Sequence, residues 1–117
     1  MSVRAAVVSL SLLSLLSLLL VVACDRQVAG GSTDGAAVFR AACASCHGEH
    51  GKPPQAMAAQ LGVRDLTGAE FRGRRSKELV KHQVVTGSAN ARMPSFKGAL
   101  TDAQIDAVAA YVLTLEP

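Results

Sequence analysis

The chain has 117 residues, which predicts one domain, and a formal net charge of +3, which is too small to indicate a nucleic-acid-binding protein. Half of the residues are hydrophobic, but three Phe and one Tyr are its only aromatic residues. A short chain with so small a core often needs a metal or another added group for stability. Three cysteines do not require an even-numbered disulfide framework, so each is considered by itself.

The first 23 residues are typical of an export signal. Arg4 supplies the only charge, and a leucine-rich stretch continues from it to Cys24. The stretch ends in Val-Val-Ala-Cys, which resembles the lipobox of bacterial lipoproteins and implies that Cys24 is lipidated after cleavage. Two alternatives stay open: a retained transmembrane helix, since twenty uncharged residues at roughly 1.5 Å each just cross a hydrocarbon core of about 30 Å, or an ordinary cleaved signal.

Residues 25–33 predict a flexible spacer, because they are polar, contain a pair of glycines and show no periodicity. A lipid on Cys24 would hold the following domain at the outer, periplasmic face of a bacterial membrane. Asp25 resembles an inner-membrane retention signal of enteric bacteria, and the choice between inner and outer membrane stays open. The predicted organisation is a lipoprotein signal peptide at 1–23, a lipidated cysteine and linker at 24–33, and one folded domain at 34–117.

The folded domain opens with a predicted helix that Asp34 caps and that carries the motif Cys43-Ala44-Ser45-Cys46-His47. The spacing C-x-x-C-H is typical of covalent attachment of one haem c. Cys43 and Cys46 would each form a thioether with a vinyl group, and His47 would supply the proximal axial ligand to iron. A thiol redox pair or a zinc site shares C-x-x-C, but zinc would need further ligands, for which only two other histidines are available.

Gly35 and Phe39, together with the C-x-x-C-H-G segment, resemble the opening of a class I c-type cytochrome domain. The resemblance implies a small all-α fold in which the small residue and the aromatic ring of the first helix pack across the last helix, around one haem. It also implies that a proline carbonyl after the haem histidine accepts a hydrogen bond from the second imidazole nitrogen. Pro53 and Pro54 are the candidates, and the choice between them stays open.

Three further helices are predicted from capping patterns and hydrophobic periodicity. Thr67 begins a T-x-x-E pattern, and Thr101 begins a T-x-x-Q pattern ahead of a helix over 102–115. Ser76 would cap a helix that ends before Gly87 and that directs four residues inward or nearly so: Leu79, Val80, Gln83 and Val84. The apolar residues of the last helix recur on one face and predict its contact with the first helix. This stripe comprises Ile105, Val108, Ala109, Val112 and Leu115, with Tyr111 adjoining. No segment alternates with a period of two, so we expect an all-α fold.

The second axial ligand of the iron decides the function. Met93 is the strongest candidate, because Pro94 stiffens the loop that carries it and because the segment resembles the M-P-x-F segment that bears the distal ligand in class I cytochromes. Met57 is expected to fill a gap in the core, and His50 to be a solvated loop residue. His82 stays an alternative ligand, which would give a bis-His haem of lower potential.

A basic run extends over residues 72–81. Its cations would form either a solvated face or a docking patch for an acidic redox partner. One arginine of the region could also pair with a haem propionate. The run comprises Arg72, Arg74, Arg75, Lys77 and Lys81.

The function expected from the chain is therefore electron transfer, not enzymatic catalysis. We expect a monomeric, membrane-tethered monohaem cytochrome c whose iron cycles between ferrous and ferric states while it exchanges electrons with respiratory redox proteins. The alternatives are a haem-based sensor or binder of small ligands, and an electron-relay subunit of a larger periplasmic oxidoreductase.

Overall fold

Six helices form the part of the chain that the computed structural model describes, residues 27–117. The predicted signal peptide, Cys24 and Asp25 lie outside these residues. Within residues 27–117 no strand forms, and none of the helices is both long and apolar enough to cross a bilayer. The predicted all-α class is confirmed. The helices are α1 (Gly35–Ala42), α2 (Ala44–His47), α3 (Gln55–Leu61), α4 (Ala69–Arg74), α5 (Lys77–Thr86) and α6 (Asp102–Val112).

Side-chain caps start three of these helices where the sequence predicts them. The Asp34 carboxylate accepts a backbone N–H at 3.1 Å at the start of α1, and the Ser76 hydroxyl accepts one at 3.2 Å at the start of α5. At α6, Thr101 and Gln104 form a capping box, with the two hydrogen bonds at 3.0 and 3.2 Å. These bonds satisfy N–H groups that have no partner inside the helix.

The first and last long helices cross in close contact, as expected. At Gly35 an added Cβ would lie 2.3 Å from the carbonyl oxygen of Ala107, so only a glycine lets α1 approach α6 this closely. One turn further along α1, Phe39 is fully buried, and its ring centroid lies 5.4 Å from that of Tyr111 with the planes tilted by 54°. Such tilted aromatic pairs add attraction beyond the burial of their area.

The core lies between α1, α5 and α6. All five residues of the apolar stripe predicted for the last helix are buried there, and Val80 and Val84 cover them from α5. Burial of each large aliphatic side chain contributes roughly 1.5–3 kcal/mol. Leu79 and Gln83, which were predicted to point inward or nearly so, do not belong to this core cluster; they lie at the wall of a cavity instead.

Two predicted helix boundaries are wrong. The Thr67 hydroxyl donates to the Asp65 carboxylate at 2.6 Å and does not cap a helix, so Gly68 occupies the N-cap of α4. The last helix stops at Val112, three residues early, and its buried Leu115 belongs to a C-terminal tail.

Two helical segments differ from the expected pattern. The first predicted helix is interrupted at Cys43, whose φ of −121° ends α1 before α2 begins. The unpredicted α3 is Ala-rich and has no side-chain cap, so it lacked a start signal in the sequence; Gly62 ends it in the left-handed region.

The end of the predicted spacer lies against α6. The Gln104 side chain is buried, and its amide donates to the carbonyl oxygens of Gly30 at 2.8 Å and Ser32 at 2.9 Å. Residues 30–32 are therefore bound to the domain by hydrogen bonds.

Candidate functional site

A cavity of about 580 Å³ brings together the predicted haem-binding residues. Cys43 lines it from the break between α1 and α2, Cys46 and His47 line it from α2, and Met93 lines it from the loop before α6. His47 and Met93 are 46 positions apart in the chain, so the fold and not local sequence brings them to one cavity. The volume lies within the range of roughly 300–1,000 Å³ that is usual for binding sites of small molecules and cofactors.

The two cysteines form no disulfide with each other, and both are half-buried at the wall of the cavity. Burial raises the pKa of the Cys43 thiol to about 11, and the neighbouring Cys46 adds to the rise. Cys43 is therefore protonated at neutral pH, and the polypeptide alone does not place a thiolate at this position.

His47 is oriented by a backbone carbonyl, but not by a proline. Its Nδ1–H donates to the carbonyl oxygen of Arg64 at 3.2 Å, since a carbonyl can only accept. The expectation of Pro53 or Pro54 is therefore wrong: Pro54 begins α3, and its carbonyl accepts from Ala58 at 3.1 Å.

The state of the His47 ring suits a metal ligand. Burial lowers its pKa below the usual 6.5, and the hydrogen bond to Arg64 opposes this effect in part. The ring is neutral at pH 7, with its proton on Nδ1, so Nε2 keeps a lone pair.

The loop that carries the Arg64 carbonyl is itself held at several points. The Asp65 carboxylate accepts from the N–H of Thr67 at 2.8 Å and from its hydroxyl at 2.6 Å. The N–H of Leu66 donates to the carbonyl of Gly51 at 2.8 Å, and the Leu66 side chain is buried. The Thr67 hydrogen bonds keep the pKa of Asp65 below its usual value. Sequence reasoning missed this support, although D-x-T is a pattern known to close local turns.

Met93 is held through its backbone. Its N–H donates to the Ser88 hydroxyl at 2.9 Å, and its carbonyl accepts from the N–H of Ser88, also at 2.9 Å. Beyond Pro94, the Ser95 hydroxyl donates to the carbonyl of Val85 at 2.6 Å, which binds the loop to the end of α5 on the C-terminal side of the methionine. The half-buried side chain of Met93 packs against the core cluster and lines the cavity.

The part of this loop that precedes Met93 contains two backbone positions with positive φ. Gly87 has a φ of +72°, and an added Cβ would lie 2.6 Å from the Met93 carbonyl oxygen. Ala91 has a φ of +57°, which is unfavourable for a residue with a Cβ. The loop that carries Met93 is therefore strained at Ala91.

The other candidate ligands lie elsewhere or stay exposed. Met57 is half-buried on α3 but belongs neither to the core cluster nor to the cavity wall, so its expected role in the core is wrong. His50 is exposed in a turn, as predicted. His82 is exposed on α5 as predicted, and it also borders the cavity.

Arginines give the cavity wall its charge. Among residues 27–117, four arginines and no Asp or Glu line the cavity. Arg75 is the most buried of those in ion pairs, with its side chain 14% accessible. The four are Arg64, Arg74, Arg75 and Arg92.

All five cations of the basic run are paired with carboxylates, Arg74 with Glu70 of its own helix. Glu116 pairs with Arg72 and Arg75, and Asp106 accepts from Lys77 at 2.6 Å and from Lys81 at 2.9 Å. Exposed pairs of this kind contribute about 0–1 kcal/mol each. The run is therefore more than a solvated face, because its pairs join α4 and α5 to α6 and the C-terminal tail.

The cavity suits a flat apolar group with anionic edges, such as the predicted haem. Most of its wall is apolar, including Leu61, Phe71, Leu79 and Phe96, and the arginines offer partners for carboxylates. The two thiols and the Nε2 lone pair of His47 lie on the same wall. The residues present therefore fit a covalently attached haem.

Comparison with known proteins gives consistent matches. Residues 31–112 match the family model described as cytochrome C oxidase, cbb3-type, subunit III. The chain is 45% identical over 86 residues to cytochrome c6 of Nostoc sp., which covers 74% of this chain and 72% of that relative. It is 38% identical over 82 residues to the cbb3-type cytochrome c oxidase subunit FixP of Azorhizobium caulinodans, covering 69% of this chain but 26% of FixP. The solved structure of the KustC0563 c-type cytochrome superposes with a TM-score of 0.64 at 28% identity, covering 72% of this chain and 99% of that one.

Proposed function

Because the chain belongs to the class I c-type cytochromes and carries one covalently attached haem c, we propose that it is a membrane-tethered electron-transfer protein with His47 and Met93 as axial ligands. The haem supplies an iron that alternates between ferrous and ferric states, and the chain supplies its ligands, its burial and a surface for partners. Cys43 and Cys46 are the proposed attachment points. We assign no catalytic residue.

The observation that carries this proposal is the shared cavity wall of His47 and Met93. His47 offers a neutral ring with a fixed tautomer, and Met93 offers a thioether in a loop that is held by hydrogen bonds at Met93 and at Ser95. A methionine thioether favours ferrous iron and so raises the reduction potential relative to a second histidine. When both axial positions are taken by side chains, the iron can exchange electrons but cannot readily bind oxygen or other small ligands.

The spectrum of the purified ferric holoprotein tests this ligation. We expect a low-spin c-type spectrum with the weak charge-transfer band of a sulfur–iron bond. A high-spin spectrum, or rapid binding of carbon monoxide to the reduced protein, would contradict the proposal and favour a sensor of small ligands. A low-spin spectrum without the sulfur–iron band would instead favour His82.

Redox partners with acidic surfaces are the proposed donor and acceptor. Arg64 and Arg92 are exposed at the cavity wall and take part in no ion pair among residues 27–117, in contrast to the paired basic run. Cations placed there would steer an acidic partner towards the haem and raise the association rate more than the affinity.

Small charged oxidants test whether the surface around the cavity is positively charged. We expect oxidation of the reduced protein by anionic ferricyanide to slow as salt is added, and oxidation by cationic tris(phenanthroline)cobalt(III) to accelerate. Arg64→Ala and Arg92→Ala should weaken both trends, whereas Arg40→Ala, which removes an exposed arginine of α1 outside the cavity wall, should not. Equal salt dependence in all four proteins would contradict the docking proposal.

A lipid on Cys24 is the proposed membrane anchor, on the periplasmic side of a bacterial envelope. The proposal is supported by the resemblance of residues 21–24 to a lipobox. Globomycin treatment or Cys24→Ser should block maturation or release the domain from the membrane fraction. Unchanged membrane attachment in the Cys24→Ser protein would favour the retained transmembrane helix.

An electron-relay subunit of a larger oxidoreductase is the second candidate. It is favoured by the match to the subunit III family model and by the similarity to one part of FixP. Gel filtration of the detergent-extracted full chain separates the two candidates. A relay subunit should co-elute with terminal oxidase activity, whereas an independent carrier should elute as a monomer.

A further inference from the structure

Ser88 is bonded to both backbone groups of Met93. Its N–H donates to the Met93 carbonyl at 2.9 Å, and its hydroxyl oxygen accepts from the Met93 N–H at 2.9 Å. The proton of the hydroxyl is used as well, since Ser88 Oγ donates to Asn90 Oδ1 at 2.7 Å. That same amide oxygen accepts from the N–H of Arg92 at 3.1 Å. The Ser88 hydroxyl is thus fixed in direction, with its lone pair towards Met93.

These contacts close residues 88–93 into a small ring of hydrogen bonds with Met93 at its end. Pro94 restricts the backbone of Met93 to extended conformations. The loop therefore has few other conformations in which the N–H and the carbonyl of Met93 would both be hydrogen-bonded. Gly87 leaves no room for a side chain beside the Met93 carbonyl. Both backbone groups of Met93 are therefore held by Ser88, in addition to the packing of its side chain against the core cluster.

We propose that Ser88 is the positioning residue that keeps Met93 on the haem iron and so keeps external ligands off it. The proposal rests on the proposed ligation by Met93. An external ligand binds only to the fraction of molecules in which Met93 has left the iron, so its apparent affinity is proportional to that fraction. Loss of one hydrogen bond that forms only in the closed loop should raise the open fraction roughly two- to tenfold.

Imidazole binding to the ferric holoprotein measures this fraction directly. We expect Ser88→Ala to bind imidazole about two- to tenfold more tightly than the unaltered protein, and its reduced form to bind carbon monoxide faster by a similar factor. Ser88→Thr keeps the hydroxyl and should restore both values. Asn90→Ala, which removes the acceptor that directs the Ser88 hydroxyl, should give a smaller increase and provides a second reading if Ser88→Ala matures poorly.

Ser76→Ala is the matched control. It also removes a hydroxyl that accepts a backbone N–H, but at the opposite end of α5 from the Met93 loop. This variant should lose stability through its cap without a change in imidazole affinity. If imidazole affinity increases equally in Ser76→Ala and Ser88→Ala, general destabilisation explains the effect and the proposal is wrong.

The outcomes separate this proposal from the ligation on which it rests. If the unaltered protein lacks the sulfur–iron band, Met93 is not the ligand and the proposed His47–Met93 ligation is wrong. If the band is present and Ser88→Ala binds imidazole no more tightly, the ligation stands and the role of Ser88 is wrong.

Discussion

The two sides of the cavity hold their proposed ligands in different ways. His47 is bonded through its ring, by a hydrogen bond from Nδ1 to the Arg64 carbonyl. Met93, among residues 27–117, forms hydrogen bonds through its backbone alone, both to Ser88. The first side therefore fixes the orientation of a ligand atom, whereas the second fixes only the loop from which a flexible thioether extends. We infer that the His47 side is the permanent half of the site and that the Met93 side is the half that can exchange.

Met93→Ala should give the largest effect, because it removes the exchangeable half completely. We expect covalent haem to be retained, the sulfur–iron band to vanish, and carbon monoxide to bind the reduced protein at least about tenfold faster, since a competing ligand held by 1.4 kcal/mol leaves fewer than one site in ten open. Absorption spectra and flash photolysis measure these changes. Met57→Ala, outside the cavity wall, is the control and should behave as the unaltered protein. A Met93→Ala protein that stays low-spin would point to His82.

Gly35→Ala should affect the His47 side and the Met93 side of the cavity together, because α1 leads directly into the C-x-x-C-H segment and rests on α6. Its Cβ would meet the Ala107 carbonyl at 2.3 Å, and separation of the helices should lower the free energy of unfolding by about 3 kcal/mol. Denaturant titration of the holoprotein gives the value. Gly73→Ala is the control: its Cβ has nothing within 4 Å, and it should stabilise α4 by about 0.5–1 kcal/mol. Equal effects of both variants would contradict the close contact of α1 with α6.

Asp65→Ala should affect the His47 side alone. It removes the carboxylate that holds the turn beside the Arg64 carbonyl, and we expect a loss of about 1 kcal/mol in unfolding free energy at pH 7. Since the folded-state pKa of Asp65 lies below 3.8, this contribution is present above that value and disappears as pH falls through the folded-state pKa. The difference in stability from the unaltered protein should therefore shrink in acid. Glu49→Ala, which removes an exposed turn carboxylate, should show no such difference at pH 7.

Ala91→Gly should give the smallest effect, and of opposite sign. A left-handed residue with a Cβ costs about 1–2 kcal/mol, and the added freedom of glycine in the unfolded chain offsets about 0.5–1 kcal/mol of the relief. We expect a net gain of about 0.5 kcal/mol and slightly weaker imidazole binding, measured by denaturation and titration. Ala89→Gly, whose φ is not positive, should destabilise the loop. If Ala91→Gly also destabilises the protein, backbone strain at Ala91 does not weaken the loop that positions Met93.

The sequence predicts the residues that bear chemistry better than those that hold them. C-x-x-C-H, M-P-x-F and the capping box at Thr101 are patterns of side chains at fixed spacing, and the structure places each where it was expected or on one cavity wall. The Arg64 carbonyl could not be predicted, because every residue has one and only the path of the loop selects it. Leu79 was predicted to point inward from its hydrophobicity, but in the structure it lies at the cavity wall and not in the core cluster.

The two hydrogen bonds from Gln104 to residues 30–32 also set how far the domain can travel. With a lipid on Cys24, five residues would separate the anchor from Gly30, and the six residue-to-residue steps of a fully extended chain span only about 20 Å. A domain confined to so thin a layer would search for partners in two dimensions, at an effective concentration set by their density in the same membrane. A soluble partner would have to approach the surface, whereas a membrane-bound one would always be within reach. Replacing Gln104 would lengthen the free segment and widen that layer without altering any proposed ligand of the haem.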